Sequence, residues 1–291
     1  MFYDKESDFE DDLVAVLKRH GWTDGVLEYP TEQDLIDNWA SILFDNNKGI
    51  DRLNGQRLTK GEMAQILEQI ETLRTPLALN SFINGKTVSI KRDNPRDEAH
   101  YGKEISLKIY DRQEIAAGQS RYQIARQPIY PAKNKMLNDR RGDVCLLING
   151  MPVIHIELKK SGIPISQATN QIAKYAHEGV FTGLFRLVQV FVAMNPDDAV
   201  YFANPGEGDF NDDYFFHWAD YNNEPTAANK HVGQDEWKRF ASDLLSIPMA
   251  HQLIGFYTVA DSADGCLKVL RSYQYQAVNA ISDRVRTCKW D

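Results

Sequence analysis

The stretch GDVCLLINGMPVIHIELK, Gly142–Lys159, holds two near-continuous apolar runs, Gly142–Asn149 and Pro152–Leu158, of the kind required by strands covered on both faces. Asn149-Gly150 between them is a strong hairpin signal. Charge punctuates the ends: Asp143 opens one run and Glu157-Leu158-Lys159 closes the next. A charge at the margin of a buried strand is costly unless something pairs with it. The turn decides whether the two carboxylates meet. A two-residue loop pairs Ile148 with Met151, sets Asp143 opposite Ile156 and throws Glu157 to the other face. An odd-length loop or a one-residue bulge instead pairs Asp143 with His155 or Glu157. Lys159, two residues beyond Glu157, then shares that face. Pro152 is a poor ladder partner, which disfavours the tight two-residue loop. The expectation is a shared face.

Two carboxylates and a backbone carbonyl, that of Leu158, on one surface form a hard-oxygen site suited to Mg²⁺. A neighbouring ammonium, Lys159, can lower the pKa of an attacking water or stabilise a phosphorane-like charge. A lone E-x-K occurs by chance in a chain of this size. Glu236-Trp237-Lys238 is such a decoy, in a helical tract with no acid-tipped partner strand. The mid-strand His155 reads as an imidazole bonded to a neighbour rather than a ligand. No H-x-x-x-H or Cys/His cluster suggests zinc, and no G-x-S-x-G suggests a hydrolase serine.

Outward from the hairpin, Ser7-Asp8-Phe9-Glu10 opens a helix in capping-box form, with Phe9, Leu13, Val16 and Leu17 on one face and Gly21 as its stop. Helical tracts run from Glu32 to Phe44 and from Lys60 to Leu73. TVSIKR, EISLKIY and RYQIARQPIY are short β-rich segments. Asn84-Gly85 reads as a hairpin turn between Phe82-Ile83 and Val88–Ile90. Ser166–His177 is a helix capped by Ser166, and 184–194 (LFRLVQVFVAM) is a further buried strand. This order predicts an α/β fold, a mixed sheet with helices packed on its faces. Asp235–Leu245 is helical, Leu253–Val259 apolar, and Leu270–Val285 begins another helix. A boundary near 225–230 divides the chain into 1–227 and 228–291, the second part being the start of an incomplete domain.

The 291 residues are 43% hydrophobic and 25% charged, globular proportions that exclude a disordered or fibrous chain. No apolar run is long enough for a membrane helix, and the acidic N-terminus lacks the basic region of a signal peptide. Three cysteines, Cys145, Cys266 and Cys288, without a C-x-x-C, suit reduced thiols in the cytoplasm. A net charge of −8 argues against a polybasic nucleic-acid binder but hides an asymmetry. Residues 121–160 carry eight Lys/Arg against three acids, whereas 195–240 carry ten acids against three cations. The basic segment, with Lys133, Arg140 and Arg141, is placed to hold a phosphate backbone.

Asp143…Glu157-Leu158-Lys159 resembles the PD-(D/E)xK nuclease motif. QIAKY, Gln171–Tyr175, follows as the Q-x-x-x-Y of the restriction (motor) subunit of type I restriction–modification enzymes and of related RecB-like nucleases. Gln171 and Tyr175 stand one turn apart on a helix. The likeness runs from SDFEDDLVAVLKRHGW through VFVAMNP, and departs from the motif in having Gly142 where a proline is usual. It implies a restriction-endonuclease-like mixed sheet flanked by helices, followed by the start of a RecA-like helicase domain. Asp143 and Glu157 would then hold the metal, and Lys159 would be the catalytic lysine. Gln171 and Tyr175 would contact DNA or couple cleavage to the motor. Many nucleases of this superfamily carry a glutamate on the first helix that reaches the metal through water; here Glu10 is the candidate, though the capping box with Ser7 is the preferred reading.

Arg271-Ser-Tyr273-Gln274-Tyr-Gln276 resembles the Q-motif that opens superfamily 2 motors, in which an aromatic and a glutamine read the adenine of ATP. No G-x-x-x-x-G-K-[ST] is present; Gly85-Lys86-Thr87 imitates only its end. The expectation is thus a Mg²⁺-dependent endonuclease domain for double-stranded DNA, with ATP used elsewhere in the full-length motor. Methyltransferase and specificity subunits would be its partners, and no membrane. The competing readings are a related repair nuclease and a non-catalytic DNA-docking or subunit-assembly module.

Overall fold

A mixed six-stranded sheet forms the centre of the computed structural model, which describes residues 2–114, 120–131, 139–206, 208, 210–220, 236–261 and 265–288. The strands are β1 (Val26–Glu28), β2 (Thr87–Lys91), β3 (Glu104–Lys108), β4 (Tyr122–Arg126), β5 (Ile129–Tyr130), β6 (Arg140–Arg141), β7 (Val144–Ile148), β8 (Met151–Leu158), β9 (Val190–Asn195), β10 (Asp198–Ala203), β11 (Thr258–Ala260) and β12 (Leu267–Val269). The helices are α1 (Glu6–Arg19), α2 (Glu32–Asn47), α3 (Lys60–Thr72), α4 (Pro76–Asn84), α5 (Ile165–His177), α6 (Glu236–Leu244), α7 (Met249–Gln252) and α8 (Ser272–Thr287). The order in the sheet is β1-β4-β7-β8-β9-β10, with β1–β4 and β8–β9 parallel and the other pairs antiparallel. This is the expected α/β architecture of a mixed sheet flanked by helices.

The central strands β7 and β8 are buried along their whole length, which accounts for their unbroken apolar sequence. Helices α1 and α5 both pack on β8. The pairs β2–β3, β5–β6 and β11–β12 form separate two-stranded ribbons. Helix α3 lies along the first of these, where Gln65 takes both backbone bonds of Lys91, at 2.7 and 2.9 Å. Residues from 236 onward pack on the same core: Trp237 of α6 stands edge-on to Phe9 at 5.0 Å, and Trp22 Nε1 donates to Leu245 O. The boundary expected at 225–230 lies outside the described residues.

Local corrections follow from capping and turn chemistry. Asn84-Gly85 is the end of α4, not a hairpin turn: Pro76 sits in its first turn and the Thr75 hydroxyl accepts from the Ala78 N–H, so the helix absorbs Phe82 and Ile83. Helix α5 starts at Ile165 behind Pro164, and Ser166 does not cap it. Helix α1 starts one residue before Ser7 with no side-chain cap, because Glu10 is drawn inward to Arg126 instead. Of 184–194 only β9 is strand; Gly183–Leu187 is a 3₁₀ turn.

A buried cation holds the periphery together. Arg92, fully buried, pairs with Glu62 at 2.6 Å and Asp97 at 2.9 Å and donates to the carbonyl of Gln56 at 2.8 Å. Replacing Arg92 by Ala leaves two buried carboxylates without their cation; the expected loss, read by urea unfolding, is about 3–5 kcal/mol.

Candidate functional site

The hairpin turn is the tight form. Asn149 (φ 52°) and Gly150 (φ 84°) take the two left-handed positions of a type I′ turn, and Ile148 pairs with Met151. A Cβ on Gly150 would also lie 2.9 Å from the Trp39 backbone. Pro152 is accommodated opposite Leu147, contrary to the expectation that it disfavours this turn. Immediately beyond, the register slips by one: Leu146 pairs with Ile154, Cys145 with His155 and Val144 with Ile156. This bulge leaves Val153 as the extra residue, and continuing the same register sets Asp143 opposite Glu157. The carboxylates share a face, as expected, by bulge rather than by loop length.

Around them the backbone is tied down. The Leu158 N–H donates to Asp143 Oδ2 at 2.7 Å, and the Gln127 N–H donates to the Asp143 carbonyl at 2.7 Å. The Lys159 N–H bonds Met194 of β9 at 2.9 Å. The Lys159 ammonium reaches back to the Leu158 carbonyl at 2.7 Å and to Glu157 Oε1 at 3.5 Å, with Glu6 Oε1 at 3.8 Å. Burial pushes both carboxyls up: Glu157 to about 7, and Asp143 well above the usual range with the charge of Glu157 adding to the effect. His155 is fully buried, and burial pushes its imidazole down to about 4, so it is neutral.

These features fit a divalent cation. Glu157 Oε1 and the Leu158 carbonyl already converge on one positive group, the Lys159 ammonium. Burial raises the proton affinity of Asp143 and Glu157 more than the neighbouring Lys159 ammonium lowers it, a penalty that a divalent cation would relieve. Among the described residues no three His, Cys, Asp or Glu side chains surround one point, so a cation here would have to draw on the two carboxylates and the Leu158 carbonyl.

Other expected residues take varied places. Gln171 Nε2 donates to the Tyr175 hydroxyl at 2.8 Å, which donates to the Arg141 carbonyl at 3.0 Å. The Q-x-x-x-Y pair thus fastens α5 to the strand leading into Asp143, and Tyr175 is largely buried. Arg140 is held bidentately by Glu178 at 2.8 and 2.9 Å, whereas the side chain of Arg141 is exposed. Lys133 lies outside the described residues. Glu10 is buried against Arg126 and accepts from Gln127 at 3.0 Å, so neither capping nor an open carboxylate describes it. The first-helix glutamate beside Lys159 is Glu6, one turn earlier, which the sequence reading passed over; its signal was the same i, i+4 spacing from Glu10.

Gly142, where the motif usually has proline, is explained by packing: a Cβ there would sit 2.8 Å from the Tyr130 hydroxyl and 2.9 Å from His155 Cε1. Away from the hairpin, Arg271, Tyr273 and Gln274 begin α8 and line a cavity of about 740 Å³ against the edge strand β10, with Phe202, Phe215 and Phe216. Gln274 Oε1 accepts from the Arg271 N–H at 2.9 Å, and the Arg271 guanidinium stacks on Phe216 at 4.5 Å.

The sheet and its flanking helices define an α/β domain of restriction-endonuclease-like type. Residues 7–210 match the family model "Type I restriction enzyme R protein N terminus (HSDR_N)", and the chain belongs to that family. It is 31% identical over 286 residues to the type I restriction enzyme SsaAORF53P endonuclease subunit of Staphylococcus saprophyticus, covering 97% of this chain and 27% of that protein. It is 27% identical over 281 residues to the SauCOLORF180P endonuclease subunit of Staphylococcus aureus, with the same coverage. It is 28% identical over 282 residues to the EcoprrI endonuclease subunit of Escherichia coli, covering 91% of this chain and 83% of that protein. The chain therefore spans about a quarter of the length of the two staphylococcal relatives.

Two outcomes follow from the site's packing and charge. Gly142→Ala forces the new methyl group against Tyr130 and His155 and is expected to lower stability by about 1–3 kcal/mol in urea titration. Glu157 keeps its proton in the folded chain up to about pH 7, but loses it near 4.5 when unfolded. Without divalent cations its contribution to stability is therefore highest below pH 4.5 and declines as pH rises through 7. Thermal midpoints of Glu157→Gln between those pH values should fall less than those of the wild type.

Proposed function

We propose that this chain is the metal-dependent endonuclease domain of a type I restriction enzyme, hydrolysing phosphodiester bonds of double-stranded DNA. The observation that carries the reading is the placement of Asp143 opposite Glu157, with the Lys159 ammonium held between Glu157 Oε1 and the Leu158 carbonyl. Asp143, Glu157 and the Leu158 carbonyl are the residues that would hold Mg²⁺. When bound there, such an ion supplies Lewis acidity to the phosphoryl group and a lowered pKa to the attacking water.

The chain's own groups do the rest. Asp143 is oriented by the Leu158 N–H and Glu157 by its place on a rigid central strand, so both carboxylates are pre-aimed. Lys159, its ammonium held against the Leu158 carbonyl and Glu157 Oε1 at the end of that strand, is placed to stabilise negative charge developing on the phosphoryl oxygens. Arg141, exposed beside the site, is placed to bind the DNA backbone. Gln171 and Tyr175 act by holding α5 against the strand that precedes Asp143. Glu10 shapes the same corner through Arg126 and Gln127.

In this reading residues 1–227 are the nuclease domain and 228–291 lead into an ATP-driven translocase, with Arg271, Tyr273 and Gln274 at its adenine site. Methyltransferase and specificity subunits complete the cytoplasmic enzyme, and cleavage follows translocation. No helix among the described residues is long and apolar enough to cross a membrane.

The test follows plasmid cleavage and ATP hydrolysis side by side in the full-length subunit assembled with its partners. Asp143→Asn, Glu157→Gln and Lys159→Ala should each lower cleavage at least about a hundredfold, with the ATPase and the folded state retained. Cleavage that persists in Lys159→Ala overturns the assignment of the site.

A further inference from the structure

Two buried polar groups beside the hairpin have no part in the chemistry so far. His155 lies two residues before Glu157 on β8 and so shares its face. Its Nδ1 is 2.7 Å from the Tyr130 hydroxyl, and both side chains are fully buried. Its Nε2 is 3.4 Å from Glu157 Oε2, and neither of these two atoms meets another polar partner among the described residues. We propose that Tyr130 and His155 form a positioning relay that fixes the carboxylate of Glu157 for cation binding. The inference rests on Glu157 being a cation ligand.

The direction of the relay follows from hydrogen-bonding chemistry. A Tyr130 O–H donating to Nδ1 leaves the imidazole proton on Nε2, the nitrogen that stands 3.4 Å from Glu157 Oε2. The opposite tautomer would set a nitrogen lone pair against a carboxylate oxygen. The two oxygens of Glu157 are thereby divided: Oε2 faces the imidazole, and Oε1 faces the Lys159 ammonium with the Leu158 carbonyl beside it. That division presents a single oxygen to a cation and prevents the carboxylate from turning about its own axis. Partners behind a ligand act in this way at metal sites generally, and their loss costs about 10- to 100-fold in affinity.

The surroundings are built for it. Phe181 and Phe191 stand edge-on to the imidazole at 5.4 and 6.0 Å, and Phe185 stands edge-on to Tyr130 at 4.5 Å. These rings keep water from competing for the buried polar atoms. A Cβ at Gly142 would collide with both rings of the relay, so the glycine lets the backbone before Asp143 run close against them. A purely space-filling pair would be served by apolar side chains, which carry no desolvation cost.

The test uses this chain and Mn²⁺ as probe, by titration calorimetry, with ring ¹⁵N spectra of the metal-free protein. Wild type should show His155 as the Nε2–H tautomer. His155→Leu should bind Mn²⁺ at least about tenfold more weakly at an unchanged stoichiometry, and His155→Gln, which keeps a donor, should recover most of the loss. Tyr130→Phe, the milder change should His155→Leu not fold, should weaken binding severalfold and mix the tautomers. Wild-type affinity in both His155→Leu and Tyr130→Phe, or an Nδ1–H tautomer in the wild type, overturns the relay. Asp143→Asn and Glu157→Gln serve as controls. If they abolish binding while His155→Leu and Tyr130→Phe do not, the relay alone fails. If they leave binding intact, the cation-site reading fails and the relay goes with it.

Discussion

Asp143 and Glu157 face each other because β8 carries one residue more than β7 between the turn and the site. The type I′ turn at Asn149-Gly150 fixes Ile148 against Met151, and without the slip at Val153 every residue beyond it would be rotated to the other face. The bulge falls directly after Pro152, which stands opposite Leu147 at a non-hydrogen-bonded pair, where β7 asks no N–H of it. One extra residue therefore decides whether the hairpin carries a paired-carboxylate site or two unrelated surface charges.

The cost of that arrangement shapes what surrounds it. Burial raises the proton affinity of both carboxyls, and the charge of Glu157 raises that of Asp143 further, so the pair requires positive charge or donors. The chain supplies one ammonium from Lys159, one backbone N–H from Leu158 and one imidazole from His155. Gly142 is part of the same solution, since a side chain there would collide with the two rings behind Glu157. The supporting corner is built by α1 and β4: Arg126 and Gln127 join Glu10 to the backbone next to Asp143. Gln127 adopts φ 48°, an unusual conformation for a residue with a side chain. Its backbone reaches β7 while its amide reaches α1.

The family match spans residues 7–210, which includes the whole six-stranded sheet and both helices packed on β8. Beyond it, α6 and α7 pack against α1 and the same core, with Trp237 beside Phe9 and Tyr122 bonded to His251 at 3.0 Å. The segment that follows the sheet is thus held by buried aromatic contacts rather than merely tethered.

Much of this was legible in the residues. The apolar runs, the Asn-Gly turn and the acids at the strand ends determined a buried hairpin bearing Asp143, Glu157 and Lys159, because strand periodicity and turn chemistry are local properties. The same local rules misread Asn84-Gly85, where a Thr-Pro helix start outweighed a turn dipeptide, and Glu10, where a capping pattern yielded to Arg126 from a strand more than a hundred residues away. Tertiary structure alone placed Glu6 beside Lys159, set Tyr130 against His155 and made Gly142 necessary. Those relations join segments distant in sequence, and burial, which decides whether a polar group must find a partner, exists only once the chain has packed.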